Sequence, residues 1–302
     1  MGNTVIVLAG ATGNLGGRIA GAILKRGASV KAIVRHDSDA GKVGVLQKLG
    51  ATIARVDFNN PSELKRACSG ASCVVSALSG LRNVIVGAQT LLLDAAVEAK
   101  VPRFIPSDYS IDFTRLPAGT NRNLDLRREF GEYLGRAQIA ATSVLNGMFM
   151  DLLAGQAPYI LFKLRQVNFW GNADQLLDFT TMDDSAEFIA SAALDPSTPR
   201  FLRIAGDQIS ARGLAQAVSE VTGKKFRLFQ AGSFSSLGMM IKILRAVAPQ
   251  NKALYPPWQG MQYTLNMFSG VAKLEPLDNA RYPGMHWTAV KEFLKEILSS
   301  RH

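Results

Sequence analysis

The distribution of apolar residues in the first half of the chain predicts alternating strands and helices. Val5–Leu8 is an apolar run, and apolar residues then recur at helical spacing from Leu15 to Leu24. Alternating β and α patterns are typical of a parallel sheet with right-handed crossover connections. The strands predicted from this pattern are Val5–Leu8, Ala28–Val34, Thr52–Val56, Ser72–Ala77, Arg103–Pro106 and Ala141–Leu145.

The segments between these strands carry helix signals. A helix is expected near Lys42–Leu49, another begins at Pro61, and Val84–Lys100 predicts a long one. Asn121 is expected to cap a helix that runs to Arg136. The pattern indicates an α/β fold built on a doubly wound parallel sheet, whose ligand crevice lies at the carboxyl ends of the strands.

The second half of the chain is less regular and predicts a smaller α+β cap region that is interleaved with the sheet domain. Leu202–Ala205 is expected to return to the main sheet as a further strand. We expect a dinucleotide-binding domain at 1–147 with contributions from about 177–206, and a cap formed by 148–176 and 207–302. The remaining predicted elements are strands at Gln166–Trp170 and Leu176–Thr180 and helices at Asp183–Leu194, Ser210–Thr222 and Trp287–Leu298.

The first predicted strand ends in a glycine-rich turn at the start of a helix, with the spacing G-x-x-G-x-x-G. Glycine lets the backbone approach a diphosphate closely, and the unpaired N–H groups and dipole of a helix N-terminus favour an anion. A tight turn that binds no ligand is the alternative interpretation. The residues expected to contact a dinucleotide here are Gly10, Thr12, Gly13, Asn14, Leu15 and Gly16.

The end of the second strand indicates which dinucleotide is bound. Arg35 lies nineteen positions after Gly16, about where a site for NAD(H) places Asp or Glu. A guanidinium there pairs with a 2′-phosphate, and His36 can add a donor, so these residues favour NADP(H). An ordinary solvated arginine at a strand end is the alternative. Further cofactor contacts are expected at Asp57, Ser76, Ala77, Leu78 and Ser79.

Composition and charge argue against several other classes of protein. The chain has 302 residues, of which 47% are apolar, so it can bury a large core. Its formal charge of +10 comes from scattered basic residues without a nucleic-acid-binding motif, so we expect anionic small ligands and no nucleic acid. We see no signal peptide or membrane-spanning segment and expect a cytoplasmic protein.

The cysteines and histidines do not predict a disulfide framework or a metal site. Cys68 and Cys73 are too few for a framework, and Cys73 lies in an apolar run that favours a reduced, buried thiol. His36, His286 and His302 are isolated from one another, and no carboxylate or cysteine cluster has ligand spacing.

Several segments together resemble the NmrA-like, isoflavone-reductase-like group of atypical short-chain dehydrogenases/reductases. They are GATGNLG, RFIPSDYSIDF and LRIAGDQISARGLAQAVSEVTGKKF, with Arg35 at the end of the second strand. The resemblance covers nearly the whole chain. It implies an NADP-binding, Rossmann-like domain, a smaller substrate-binding domain and a cleft between them. Members of this family include reductases of aromatic plant compounds, quinone reductases and redox-sensing regulators.

A reductase also needs a proton donor or hydrogen bonds to the oxyanion that forms. Ser107 and Tyr109 follow the fifth strand, and Tyr109 is the best donor among the loop residues, although a tyrosine normally needs a nearby cation. The family's aromatic-alcohol reductases carry a lysine at the start of the next helix. This chain has Asn123 there and no lysine between Lys100 and Lys163. Asn123 can hydrogen-bond a substrate or the ribose, or it can cap the helix.

A Y-x-x-x-K pattern at Tyr159 and Lys163 matches a motif of many short-chain dehydrogenases. It lies after the sixth strand, whereas that motif belongs on the helix between strands five and six. Because a motif counts only in its structural context, we interpret this match as coincidental.

Two functions are compatible with these features. The first is an NADP(H)-dependent oxidoreductase that transfers hydride to a small apolar aromatic or quinone-like acceptor, since a quinone gives a stable phenolate and needs less acid assistance. The second is an NADP(H)-sensing regulator that binds a partner protein with little or no turnover. A set of soft side chains lines either an acceptor pocket or the core: Met148, Phe149, Met150, Met239, Met240, Trp258, Met261, Met267 and Phe268.

Overall fold

A parallel sheet forms the centre of the computed structural model, which describes residues 4–299. Its strands are β1 Val5–Ala9, β2 Ser29–Arg35, β3 Thr52–Val56, β4 Cys73–Ser76, β5 Arg103–Ile105 and β6 Ala140–Ala141. Within those residues the six strands have the order β3-β2-β1-β4-β5-β6, and every neighbouring pair is parallel. The strand order reverses between β1 and β4, which confirms the doubly wound, Rossmann-like α/β fold expected from the sequence.

Helices cover both faces of this sheet. They are α1 Asn14–Lys25, α2 Ala40–Lys48, α3 Pro61–Cys68, α4 Gln89–Glu98, α5 Arg122–Leu134 and α6 Met182–Leu194. Leu8 of β1 belongs to the same core cluster as Ile19 of α1 and Phe188 of α6. The next residue, Ala9, belongs to a cluster on the other face with residues of α3, α4 and α5, including Phe130. This division follows from the alternation of side chains along a strand.

The helix predicted at Val84–Lys100 has two parts. Asn83–Ala88 is a π-helical segment that leads directly into α4. At their junction Gln89 Nε2 donates to the carbonyl oxygen of Ile85 at 3.0 Å, and Gln89 Oε1 accepts from Ser107 N at 2.8 Å. Local π-helical turns often occur near functional sites. This one fixes a buried amide against the loop that follows β5.

The second half of the chain forms small sheets. The strands are β7 Ser143–Leu145, β8 Met148–Phe149, β9 Ile160–Leu161, β10 Gln166–Trp170, β11 Leu176–Thr180, β12 Phe201–Arg203, β13 Asp207–Ser210 and β14 Arg227–Gly232. In the described range they are arranged as β14-β10-β9, β13-β11-β8 and β12-β7. The predicted strands at 166–170 and 176–180 are confirmed.

The prediction of one strand at Ala141–Leu145 is wrong. Thr142 N donates to the carbonyl oxygen of Phe104 in β5, whereas Ser143 N donates to that of Arg200 just before β12. The backbone thus changes its hydrogen-bonding partner between adjacent residues, and β6 and β7 belong to different sheets. The expected strand Leu202–Ala205 corresponds to β12, which pairs with β7 and does not return to the six-stranded sheet.

Four helices complete the described chain: α7 Ala211–Thr222, α8 Phe234–Val247, α9 Pro257–Phe268 and α10 Val290–Ser299. The Ser210 side chain caps α7 by accepting from Gly213 N, and Gly223, with φ 65°, follows the last residue of the helix. The closing helix begins at Val290, three residues after the predicted start. No helix between residues 4 and 299 combines the length and apolar character needed to cross a bilayer.

A third core cluster lies outside the faces of the main sheet. It joins Phe179 of β11, Leu214 of α7 and Phe268 of α9 with residues from the first half of the chain, such as Leu124 of α5 and Phe113. The cap core therefore includes side chains from the segment assigned to the dinucleotide-binding domain. The division at residue 147 stays a prediction.

Candidate functional site

The glycine-rich turn between β1 and α1 is packed so closely that it leaves no room for a Cβ atom at Gly10 or Gly16. Gly10 has φ 81°, and a Cβ atom there would lie 2.5 Å from the carbonyl oxygen of Ala77. A Cβ atom on Gly16 would lie 2.8 Å from the carbonyl carbon of Gly10 and 2.9 Å from Ala11 Cα. The N-cap residue of α1 is Gly13, so no side chain caps the first turn. The N–H groups at this helix end are left for a ligand or water.

The other predicted cofactor residues lie at the carboxyl ends of neighbouring strands. Arg35 is the last residue of β2, and its side chain is 72% exposed and 3.3 Å from Asp37. His36 follows it and lies 3.6 Å from Glu63. Ser76 ends β4, and Ala77 to Ser79 follow it, with Ala77 against Gly10.

Asp57 comes directly after β3 and is exposed, but its carboxylate already accepts hydrogen bonds within the protein. Asp57 Oδ1 accepts hydrogen bonds from both N and Nδ2 of Asn59. The side chain therefore stabilises the turn that leads into α3. Its role toward a cofactor stays a prediction.

The arrangement of the turn and the strand ends fits a dinucleotide with an additional phosphate. The glycines at positions 10 and 16 let the turn pack directly against the backbone of Ala77 and Ala11, and together with the uncapped N-terminus of α1 the turn forms a cradle that a diphosphate can approach closely. Arg35 ends β2, the strand paired with β1, so this residue and the glycine-rich turn lie at the same ends of neighbouring strands. The same edge of the sheet thus offers helix N–H groups and an exposed cation.

Tyr109 and Ser107 follow β5 with their hydroxyl groups already engaged. The buried Tyr109 donates to the carbonyl oxygen of Ser76 at 3.0 Å, and Ser107 Oγ donates to that of Leu78 at 2.6 Å. Burial, followed by the nearby Asp108 and Cys73, raises the pKa of Tyr109 well above 10. Both side chains hold the loop after β4 against the loop after β5, and their catalytic roles stay predictions.

Asp108 lies between them, fully enclosed. Its Oδ2 atom accepts from Ser143 Oγ at 2.6 Å, and that hydroxyl also accepts from Arg200 at 2.6 Å. Burial raises the pKa of Asp108, while the Ser143 hydroxyl and the charges of Arg127 and Arg200 oppose the shift. These hydrogen bonds connect the loop after β5 with the first residue of β7.

Asn123 does not cap α5, so that alternative is wrong: the cap is Asn121, as the helix prediction required. The buried Asn123 side chain accepts from Arg122 Nε at 3.0 Å and donates to the carbonyl oxygen of Leu254 at 3.1 Å. Arg122 also donates to the carbonyl oxygens of Ala253 and Leu254. The start of α5 is thereby tied to the segment between α8 and α9.

A polar stripe on α9 completes this junction, and the sequence-based expectations did not include it. Gln259 Nε2 donates to Asn121 Oδ1 at 2.7 Å, and Asn121 Nδ2 donates to Asn266 Oδ1 at 3.1 Å. Gln262 Oε1 accepts from the backbone N of Arg122 at 3.2 Å. With Tyr263, these residues occupy positions i, i+3, i+4 and i+7, which lie on one helix face. This spacing of polar residues is the sequence signal that marks them.

Tyr263 is the member of the stripe that reaches the loop after β5. Its hydroxyl group interacts with the side chains of Ser110 and Asn123. The carbonyl oxygen of Ser110 accepts from the backbone N of Asn146 at 3.0 Å and of Gly147 at 3.1 Å, immediately after β7. Tyr263 therefore contacts the loop that follows β5, at the point where this loop meets the segment after β7.

The Y-x-x-x-K pattern does not form a site, in agreement with its interpretation as coincidental. Tyr159 is buried against Trp170 and Phe268, with its hydroxyl 3.1 Å from Thr264 Oγ1, whereas Lys163 is exposed. Burial raises the pKa of Tyr159 to about 12. Of the nine soft side chains noted in the cap, four are buried and two are exposed. Those buried are Met150, Trp258, Met267 and Phe268, and those exposed are Met239 and Met240.

Among residues 4–299, no group of three or more His, Cys, Asp or Glu side chains is arranged to hold a metal ion, and His302 lies outside that range. Cys68 and Cys73 are free and buried, as expected for reduced thiols.

The fold is that of a doubly wound α/β protein with a glycine-rich turn after its first strand. The chain belongs to the NmrA-like family, whose model matches residues 2–280. It is 30% identical to pinoresinol reductase 1 of Arabidopsis thaliana over 242 residues, which covers 74% of this chain and 75% of the relative.

Two further comparisons cover nearly the entire chain. The isoflavone reductase homolog IRL of Zea mays is 25% identical over 312 residues, or 97% of this chain and 98% of the relative. A solved structure of AtPrR2 with NADP+ and (+)pinoresinol shares the fold, with a TM-score of 0.82 and 22% identity over 98% of this chain and 99% of that chain.

Proposed function

We propose that this protein is an NADP(H)-dependent oxidoreductase that transfers hydride to an apolar aromatic or quinone-like acceptor. The observation that carries the proposal is the Gly10–Gly16 cradle with the exposed Arg35 on the adjacent strand. The sequence relatives support it, because one is named a pinoresinol reductase and another an isoflavone reductase homolog. They favour turnover over the alternative of a regulator that only senses NADP(H).

The residues at the strand ends have distinct roles toward the cofactor. Backbone N–H groups at the start of α1 would hold the diphosphate, and Arg35 would pair with the 2′-phosphate. The loop after β4, which Tyr109 and Ser107 hold in place, would lie along the nicotinamide half. When bound, the reduced cofactor supplies hydride, and the chain itself orients the acceptor and stabilises its oxygen.

The acceptor class follows from the groups available for acid catalysis. No lysine occurs between Lys100 and Lys163, and Asn123 stands at the start of α5. A quinone-like acceptor becomes a phenolate when it receives hydride, and a phenolate needs less proton assistance than an aliphatic alkoxide. Apolar aromatic acceptors of this type therefore suit a site without a catalytic ammonium group.

Oxidation of NADPH in the presence of a panel of quinones and aromatic enones tests the proposed activity. The expected result is turnover above background with at least one acceptor, and none when the acceptor is omitted. Tight NADPH binding without turnover on any member of the panel would instead favour the sensing function.

Arg35→Ala is expected to remove the preference for NADPH over NADH. The parent protein should bind NADPH at least about tenfold tighter than NADH, or about 1.4 kcal/mol. The variant should bind both with similar affinity, because only NADPH carries the phosphate. Arg212→Ala is the matched control, since it removes another exposed, carboxylate-paired arginine, which lies on α7 and not at the end of β2. A preference that survives in Arg35→Ala would reject this role.

A further inference from the structure

We propose that Tyr263 is the proton donor to the acceptor oxygen, an assignment that rests on the proposed reductase function. The residue is on α9 in the cap, far in sequence from the strand-end loops. Its place in the crevice comes from the junction between α9 and the start of α5.

The position of Tyr263 is the first argument. Ligands of open α/β sheets bind in the crevice at the carboxyl ends of the strands. Tyr263 contacts Ser110, which follows β5, and Ser110 in turn holds the backbone after β7. Tyr109, the residue before Ser110, donates a hydrogen bond to the carbonyl oxygen of Ser76, and the next residue, Ala77, packs against the glycine-rich turn. The loops after β5 and β4 thus connect the hydroxyl of Tyr263 with the cradle at the glycine-rich turn.

The availability of the hydroxyl group is the second argument. Tyr109 and Ser107 each donate their hydroxyl proton to a main-chain carbonyl oxygen, which an acceptor molecule would have to displace. Tyr263 is only partly buried. Its hydroxyl group interacts with the side chains of Ser110 and Asn123, which can move more easily than a main-chain carbonyl group. Asn123 is fixed by Arg122 and Leu254, so it can orient the phenol.

The charges around Tyr263 are the third argument. Arg127 and Arg122 both interact electrostatically with it, and the hydroxyl of Tyr255 is also nearby. Burial raises the pKa of Tyr263, while Arg127 and the two side-chain contacts oppose the shift. The group is therefore a neutral donor at neutral pH, and the guanidinium of Arg127 lies where it can stabilise the tyrosinate left after transfer. Arg127 Nε has no hydrogen-bond partner although it is buried.

The proposed step conserves atoms and charge. Hydride from NADPH adds to a carbon of the acceptor, and the electron pair of the acceptor's π-system moves onto its oxygen. The O–H bond of Tyr263 breaks as a new O–H bond forms on that oxygen. NADP+ and the reduced acceptor leave, and water returns a proton to the tyrosinate. The hydroxyl group of a phenolic product and that of a tyrosine have similar proton affinities, which favours efficient proton transfer between them.

Tyr263→Phe tests the assignment. We expect kcat to fall by about 100-fold, at the lower end of what a positioned acid contributes. NADPH affinity and the unfolding midpoint should be unchanged, because the cradle is untouched. Tyr133→Phe is the matched control: it removes a hydroxyl group from the surface of α5, where Tyr133 donates to Asp94, and should leave kcat unchanged.

A binding measurement provides a readout that does not depend on turnover. 4-Nitrophenol serves as a ligand that offers a phenolic oxygen but does not react as a hydride acceptor. It is titrated into the NADP+-saturated protein, and its binding is followed by its absorbance. Loss of one hydrogen bond to a charged ligand should weaken its binding about tenfold in Tyr263→Phe. If that variant proves unstable, Ser110→Ala removes one partner of the phenol and should lower kcat and 4-nitrophenol affinity in the same direction.

The outcomes separate this assignment from the function on which it rests. If the parent reduces an acceptor but Tyr263→Phe keeps its kcat and its affinity for 4-nitrophenol, Tyr263 is not the donor and the reductase proposal stands. If Tyr109→Phe abolishes turnover in a stable protein while Tyr263→Phe does not, Tyr109 is the donor. A parent that binds NADPH but reduces nothing rejects the reductase function itself.

Discussion

Gly16→Ala is expected to lower the free energy of unfolding by about 3 kcal/mol, the upper range for a forced overpacking. The added Cβ atom would meet the backbone of Gly10 and Ala11, which cannot move aside as a flexible side chain can. Helix α1 must therefore shift away from β1, and the cradle opens. NADPH binding should weaken by roughly 100-fold or more, since the N–H groups of the first turn no longer converge on the diphosphate.

Gly21→Ala provides the control on the same helix. A Cβ atom at Gly21 would have no neighbour within 4 Å, and alanine is the better helix former by roughly 0.5–1 kcal/mol. This variant should be slightly more stable than the parent and bind NADPH with unchanged affinity. Denaturant unfolding and NADPH titration of both variants are the measurements. Parental affinity in Gly16→Ala would contradict the assignment of the turn as the diphosphate site.

Asp112→Ala is expected to destabilise the fold by about 3–5 kcal/mol, because it leaves a largely buried cation without its partner. Asp112 is fully buried in the loop after β5, and its Oδ2 atom accepts from Arg203 Nε of β12 at 2.7 Å. Its Oδ1 atom accepts from Thr114 N at 3.0 Å. The ion pair joins the loop that carries the candidate catalytic residues to the small β12-β7 sheet.

A double variant separates the loss of the pair from the cost of the orphaned charge. Asp112→Ala combined with Arg203→Met should recover part of the lost stability, since it removes the unpaired guanidinium. Asp174→Ala, which breaks the exposed pair with Arg212, should leave the unfolding midpoint nearly unchanged. If Asp112→Ala alone unfolds at the parental midpoint, the carboxylate does not hold this loop.

The parts of the fold that depend on local pattern were predictable from the sequence. The run at Val5–Leu8 and the three glycines after it encode the strand, the turn and the helix start within twelve residues. The end of the strand at Ala141–Leu145 was not predictable, because the switch at Thr142 depends on where Phe104 and Arg200 lie in space. Periodicity reports which residues are extended, but it does not report which strand they pair with.

The same distinction applies to the candidate site. Gly10, Gly16 and Arg35 could be proposed as cofactor residues from the sequence, because the proposed roles depend only on position along one β-α-β unit. Tyr109 lies at the expected strand end, but its hydroxyl turns toward Ser76, an orientation that spacing does not encode. Tyr263 reaches the crevice only because α9 packs on the start of α5, about 140 residues earlier in the chain. Such contacts depend on tertiary packing.

Calorimetric titration of the unmodified protein with NADPH and, separately, with NADH tests most directly whether the crevice at the Gly10–Gly16 turn holds a phosphorylated dinucleotide. We expect a saturable heat with NADPH and a dissociation constant at least about tenfold lower than that for NADH. Equal affinities would reject the role of Arg35. No heat with either nucleotide at millimolar concentration would contradict the existence of the site.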